Sequence, residues 1–168
     1  SGLSADLIKD LYSDELDEIE EENREKFQTP KIIFCSRTHS QITQFVKEFQ
    51  RTTYKDAISL IPLASRQNLC IHEKVKRIRS SQLQMDQCQQ LRSQKKCDFY
   101  DKSGLTLFTE HALNKAHDIE DLVKIGRRIE ACPYFGSRQA LARADLVLMP
   151  YASLLNERMR GSLGLGSL

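Results

Sequence analysis

The sequence predicts an α/β chain in which a parallel sheet begins early, is interrupted by a cysteine-bearing insertion, and resumes towards the end. Three observations predict it. Two short apolar runs in the first third are joined by a polar turn and an amphipathic segment. A basic stretch with few contiguous apolar residues and most of the cysteines follows. A buried-strand pattern then returns at residues 145–150.

Taken in order, residues 1–29 read as an acidic flexible insert, because the like-charge block Asp14-Glu-Leu-Asp-Glu-Ile-Glu-Glu-Glu-Asn23 repels itself and has little apolar area to bury. Pro30 ends it. Lys31-Ile-Ile-Phe-Cys35 is the first strand, short, apolar and β-branched. Ser36-Arg-Thr-His-Ser-Gln41 is a polar turn with Ser36 and Thr38 as candidate helix caps. Ile42, Phe45, Val46 and Phe49 then stand at i, i+3, i+4 and i+7, the face of one amphipathic helix. Ala57-Ile-Ser-Leu-Ile-Pro62 is the second strand. After the insertion, Asp118 caps a helix with Ile119, Leu122 and Val123 on one face before Gly126, and a further helix is expected over 136–144. Asp145-Leu-Val-Leu-Met-Pro150 is the third strand, Tyr151-Ala-Ser-Leu-Leu-Asn156 opens another helix, and residues 161–168 are expected to be flexible or truncated.

Composition narrows the class. With 40% apolar and 29% charged residues the body is that of a globular chain rather than a disordered one. No run of about 18 apolar residues and no signal-peptide pattern is present, so an intracellular protein away from the membrane is expected. The net charge of +2 hides an asymmetry: residues 1–29 hold 10 acidic and 3 basic residues, which leaves the remainder strongly basic. Within it, residues 66–97 hold 8 Lys or Arg against 2 acidic residues. Such a region suits a phosphate backbone and equally suits a solvated surface.

Five cysteines without a secretory signal argue against a disulfide framework. Four of them, Cys70, Cys88, Cys97 and Cys132, are spaced C-x17-C-x8-C-x34-C. A structural zinc site more often presents close C-x2-C knuckles, and none is here. Single separated cysteines are compatible with a 4Fe–4S cube, each of whose irons takes one thiolate, and Cys132 is followed by Pro133 as in ferredoxins. Zinc or another metal, an iron–sulfur cluster, and ordinary buried thiols all remain open on spacing. Cys35 lies within a strand and reads as a core thiol. Phe99-Tyr100 and Tyr134-Phe135 follow two of the cysteines and suit either shielding of a cluster or stacking on bases. His39, His72, His111 and His117 share no spacing with the cysteines that demands ligation.

Phe34-Cys-Ser-Arg-Thr-His-Ser-Gln41, Ser65-Arg-Gln-Asn-Leu-Cys70, the pair Cys88 and Cys97, Asp118-Ile-Glu-Asp-Leu-Val123, Ala131-Cys-Pro-Tyr-Phe-Gly-Ser-Arg138 and Pro150-Tyr-Ala-Ser-Leu-Leu155 occur in one order. Together they resemble the XPD-like iron–sulfur DNA helicases of superfamily 2, which include the XPD, FANCJ and RTEL types, over roughly residues 30–156. The acidic insert and the Ser-Arg-Gln-Asn-Leu-Cys wording resemble the chromosome-loss branch linked to sister-chromatid cohesion. The Cys-Ile-His beginning at Cys70 is shared with RTEL-type sequences.

The resemblance implies an α/β fold that is part of a RecA-like parallel-sheet motor domain with an inserted, mainly helical iron–sulfur cluster domain. It implies motor-domain segments at 30–64 and 137–168 and the cluster domain at 65–136. It implies Cys70, Cys88, Cys97 and Cys132 as ligands of a 4Fe–4S cluster, with Arg66 beside it as a charge-neutralising or DNA-touching cation, against a plain surface ion pair. Ser36, Arg37, Thr38 and His39 match motif Ia, which holds single-stranded DNA by its phosphates. The implied activity is ATP-dependent 5′→3′ DNA unwinding in the nucleus on single-stranded or forked DNA, together with the remainder of the motor and with replication or cohesion proteins. No G-x-x-x-x-G-K-[ST] loop and no Asp-Glu-Ala-His box is present, so ATP and Mg²⁺ are expected only in the intact helicase. The rivals are a zinc-stabilised nucleic-acid-binding module with no motor, and an interaction domain that docks a partner through its acidic block.

Overall fold

The structure, a computed structural model, describes residues 31–155 and 160–161. The acidic insert at 1–29 and the tail from 162 lie outside the described residues.

Three strands, β1 (Ile32–Ser36), β2 (Leu60–Pro62) and β3 (Leu146–Pro150), form a parallel sheet in the order β1-β3-β2. The α/β class and parallel sheet expected from the sequence are therefore present. β3 takes the central place, pairing Ile32 with Leu146 on one side and Leu60 with Leu146 on the other. A central parallel strand is covered on both faces, which is why Leu-Val-Leu-Met has no polar alternation. Leu146 and Leu148 turn to one face, where Ile42, Val46 and Phe49 of α1 (His39–Phe49) meet them. Val147 and Met149 turn to the other, against helices that follow β2.

Local signals set the element ends. Thr38 caps α1 in a full capping box with Gln41. The second strand is shorter than expected, because Thr52 starts a 3₁₀ turn over Thr53–Asp56 and only Leu60–Pro62 reaches the sheet. Lys31 Nζ donates to the carbonyls of Ala142 (3.0 Å) and Ala144 (2.7 Å), while the Asp145 carboxylate accepts from Ser59 N–H (2.8 Å) and Oγ (2.7 Å). These bonds tie the starting ends of all three strands together.

Six helices stand between β2 and β3: α2 (Arg66–Leu69), α3 (Glu73–Lys76), α4 (Ser81–Ser93), α5 (Lys102–Leu113), α6 (Ile119–Ile129) and α7 (Pro133–Ala140). A last helix, α8 (Tyr151–Leu155), follows β3. Asp118 caps α6 as expected, through the Asp121 N–H, but the helix runs past Gly126 to Ile129 and ends at Glu130, held left-handed at φ 56°. Gly126 is not a stop; a Cβ there would meet Pro133 and, at 2.7 Å, the Ala131 carbonyl, so the missing side chain lets α7 start against α6. Likewise α7 begins at Pro133 rather than 136, since proline is preorganised for a first helical position. The expected boundary between 136 and 137 falls inside this helix. Gly136 there gives way to the ring of Phe108 on α5. Helix α5 was not among the expected elements: Leu105, Phe108 and Ala112 have helical spacing, but Gly104 and Thr109 break the apolar stripe.

Candidate metal centre

Four separate segments deliver one thiol each to a single hollow. Cys70 stands at the C-terminal end of α2, its N–H closing the last turn on the Arg66 carbonyl (2.8 Å). Cys88 lies on the buried face of α4 with Gln84 and Leu91. Beyond α4 the chain reverses, with Lys95 left-handed at φ 54° and the Lys96 N–H returning to the Leu91 carbonyl (2.7 Å), and this brings Cys97 back beside the helix. Cys132 is the N-cap of α7, and its own N–H donates to the Phe99 carbonyl (2.8 Å), stitching the third segment to the fourth. Gln84 pins α4 to α3 by donating to the Val75 carbonyl (3.1 Å). All four cysteines line the hollow.

Cys70, Cys88 and Cys132 are buried and Cys97 half-buried, and none is in a disulfide. Backbone N–H groups near the thiols, of His72 at Cys70, of Phe99 and Tyr100 at Cys97, and of Phe135 and Tyr134 at Cys132, act to lower their pKa. Such donors favour thiolate over thiol. Burial nevertheless wins in the bare protein, pushing Cys70 up to about 11 and Cys132 up to about 12, and raising Cys97; the neighbouring sulfurs add to this by like-charge repulsion. Were the four to ionise in one dry hollow they would repel one another, and a cation bound among them would offset that repulsion and release their protons. Among the described residues, no group of three or more His, Cys, Asp or Glu side chains is set to hold a single metal ion.

Around the sulfurs lies a layer of rings and arginines. Phe135 packs edge-on against Tyr100 (4.8 Å) and Tyr134 (5.1 Å), and Phe99 against His72 (6.2 Å). His72, Phe99, Tyr100 and Phe135 line the hollow, an arrangement that excludes water, and Tyr134 packs behind Phe135. Arg66 lies 4.1 Å over Tyr134, and Arg138 lies 3.5 Å from the same ring. Arg66 thus stands in this layer, stacked on an aromatic face. Its Nε is buried without a hydrogen-bond partner among the described groups.

The other expected residues sit at the end of β1. Ser36 is buried, and its hydroxyl donates to Gln41 Oε1 (2.7 Å); Thr38 is committed to capping α1. Arg37 is exposed beside them. His39 Nε2 meets the Asn68 amide at 3.0 Å. The loop after β1 is thereby joined to α2, whose end carries Cys70. Cys35 lies apart from the hollow, packed on the sheet core, where burial raises its thiol.

Sequence reasoning missed His72, which lines the hollow, and the arginines Arg92 and Arg138. A signal existed for the arginines: Cys88 and Arg92, like Tyr134 and Arg138, are one helical turn apart and share a face. The backbone donors carried no signal, since any residue has an N–H.

The DEAD_2 family matches residues 34–167. ATP-dependent DNA helicase chl1 of Schizosaccharomyces pombe is 38% identical over 98% of this chain and 21% of its own length. Human ATP-dependent DNA helicase DDX11 is 37% identical over 89% of the chain and 17% of its own length. Human regulator of telomere elongation helicase 1 is 40% identical over 78% of the chain and 11% of its own length. The chain thus spans about a fifth or less of these relatives. With the family matched over most of its length and α/β structure under that match, the chain belongs to the DEAD_2 family of XPD-like helicases.

Proposed function

We propose that this chain is the cluster-holding and DNA-gripping part of an ATP-dependent 5′→3′ DNA helicase that works in the nucleus on single-stranded or forked DNA. The observation that carries the reading is the convergence of Cys70, Cys88, Cys97 and Cys132 on one hollow. This donor set fits a 4Fe–4S cube, which takes one thiolate per iron from four directions. Bound there, the cluster supplies a rigid cross-link between α2, α4, the Cys97 turn and α7. The chain's own groups do the rest. Arg37 and the backbone of the loop after β1 hold a strand by its phosphates and read no base. Ser36 and Thr38 keep that loop in shape. Residues 65–136 form the cluster domain, carried by motor-domain segments at 30–64 and 137–168. ATP and Mg²⁺ bind elsewhere in the intact motor, since the phosphate-cradling loop is not in this sequence. On this reading the helicase works beside replication or cohesion proteins.

Anaerobic purification with iron, sulfide and zinc analysis tests the reading. A brown protein with about four irons per chain is expected. Replacing Cys97 by Ser is expected to lower both iron content and soluble yield, because ligand binding and folding are coupled in so small an insertion. A colourless protein with about one zinc per chain would transfer the site to the zinc reading.

A further inference from the structure

The four thiols of the hollow are delivered by segments that differ in what moves with them. Cys88 stands inside α4, a helix of 13 residues. Cys70 closes the last turn of α2 through its own N–H. Cys132 caps α7, its carbonyl accepting from the Gly136 N–H (2.9 Å) while its N–H donates to the Phe99 carbonyl (2.8 Å). A shift of any of these three sulfurs carries a helix with it, and the three residues are only 6–7% exposed.

Cys97 differs on both counts. It lies in the connection between α4 and α5, where residues 94–101 are neither helix nor strand. Of the four it alone is not buried, and Lys95, Lys96 and Asp98 beside it are exposed. Two backbone bonds shape the turn, from the Lys96 N–H to the Leu91 carbonyl (2.7 Å) and from the Tyr100 N–H to the Cys97 carbonyl (3.1 Å). On one side Lys95 holds a left-handed backbone, which is costly for a residue with a Cβ. On the other, Phe99 is anchored by its bond to Cys132. Cys97 can therefore swing between a strained reversal and a fixed point without unseating a helix.

We infer that Cys97 is the exchangeable ligand of the site, the last to bind when an iron–sulfide core is handed over by a thiolate-bound carrier and the position where a small external thiol can replace a protein sulfur. The inference rests on the cluster reading given above. The step is a ligand substitution. The Cys97 sulfur forms a bond to iron as the carrier's sulfur–iron bond breaks, and the Cys97 proton leaves with the carrier's sulfur as its thiol. No electron is transferred. Thiolate is the binding form on both sides, so the exchange runs in either direction and access decides which ligand takes part.

Two experiments on the full chain test this, both anaerobic and with 2-mercaptoethanol as the external thiol. In the first, the iron-loaded parent is incubated with the thiol and an alkylating reagent, and the labelled cysteines are followed in time by peptide mass spectrometry. Cys97 is expected to be labelled ahead of Cys70, Cys88 and Cys132. Labelling of another of the four first, or of all four at one rate, would overturn the inference. In the second, Cys97→Ala, Cys88→Ala and Cys132→Ala are loaded with iron and sulfide under a phosphine reductant, with and without the thiol. Cys97→Ala is expected to regain about four irons per chain only when the thiol is present, while the other two gain nothing from it. No gain in a soluble Cys97→Ala, or an equal gain in all three, would count against the inference; if Cys97→Ala is insoluble, the labelling order in the parent decides. A parent chain that takes up no iron removes the cluster reading and this inference together, whereas a loaded parent with uniform labelling removes this inference alone.

Discussion

Asp145 shows how one side chain can hold a sheet together at its starting end. The Ser59 hydroxyl and the Ser59 N–H hold its carboxyl below the usual carboxylate range, and the nearby Lys31 ammonium adds to this. A depressed pKa in the fold contributes stability that is present above the unfolded carboxylate pKa and is lost as pH falls through the folded one. Asp145→Asn is therefore expected to be less stable near neutral pH, by about 0.5–1 kcal/mol, less than a buried charged hydrogen bond is worth because the group is exposed and screened. The gap should hold down to about pH 5 and close as pH drops further below the ordinary carboxylate value near 4. Urea midpoints for the two proteins across that range check it, and a gap unchanged at low pH would assign the effect to shape rather than charge.

Between elements, the bond from Asn68 to His39 joins the loop after β1 to the helix that ends in Cys70. If the loop grips DNA and α2 belongs to the cluster domain, this bond makes the two act as one surface. Asn68→Ala is expected to weaken single-strand binding by roughly fivefold, about the worth of one hydrogen bond, without lowering iron content. The double variant with His39→Ala should bind no worse than the weaker single variant, since each removes the same link. Fluorescence anisotropy with a labelled strand measures both, and additive losses would mean that the pair does not act together. Elements of this kind also mark the limit of what the sequence made legible. α1, α6 and β3 announce themselves, since their apolar residues keep a regular period and Thr38 and Asp118 are good caps. α2 and α3, of four residues each, have no period to read; they are held by tertiary bonds such as Gln67 to the Arg79 carbonyl (2.7 Å) and Gln84 to Val75. For the site, the cysteines are visible as residue types, whereas their convergence depends on the reversal at Lys95 and the bond from Cys132 to Phe99, which no spacing encodes.

At the scale of the molecule, most of the buried apolar side chains among the described residues fall into three groups that differ in what holds them. One joins Ile61, Val147 and Met149 of the sheet to Phe108, Leu122 and Ile125 of α5 and α6, so these helices are continuous with the sheet core. A second seats α1 on the opposite face through Ile42 and Val46. The third gathers Val75, Leu91, Leu105 and Phe135 around the cysteines. It is small, and its buried thiols repel one another when ionised. Apolar burial at about 25 cal/mol per Å² stabilises the first two groups without help, whereas the third depends on whatever cross-links its sulfurs. If an iron–sulfur cluster is that cross-link, removing it is expected to loosen one part of the chain and spare the other. Hydrogen exchange followed by mass spectrometry should then show the amides of α2, α3 and α4 losing protection on chelation, while β1, β3 and α6 keep theirs. Equal loss everywhere would mean that the sheet also depends on the cysteine site, and no loss would mean that α2, α3 and α4 are held by the protein alone.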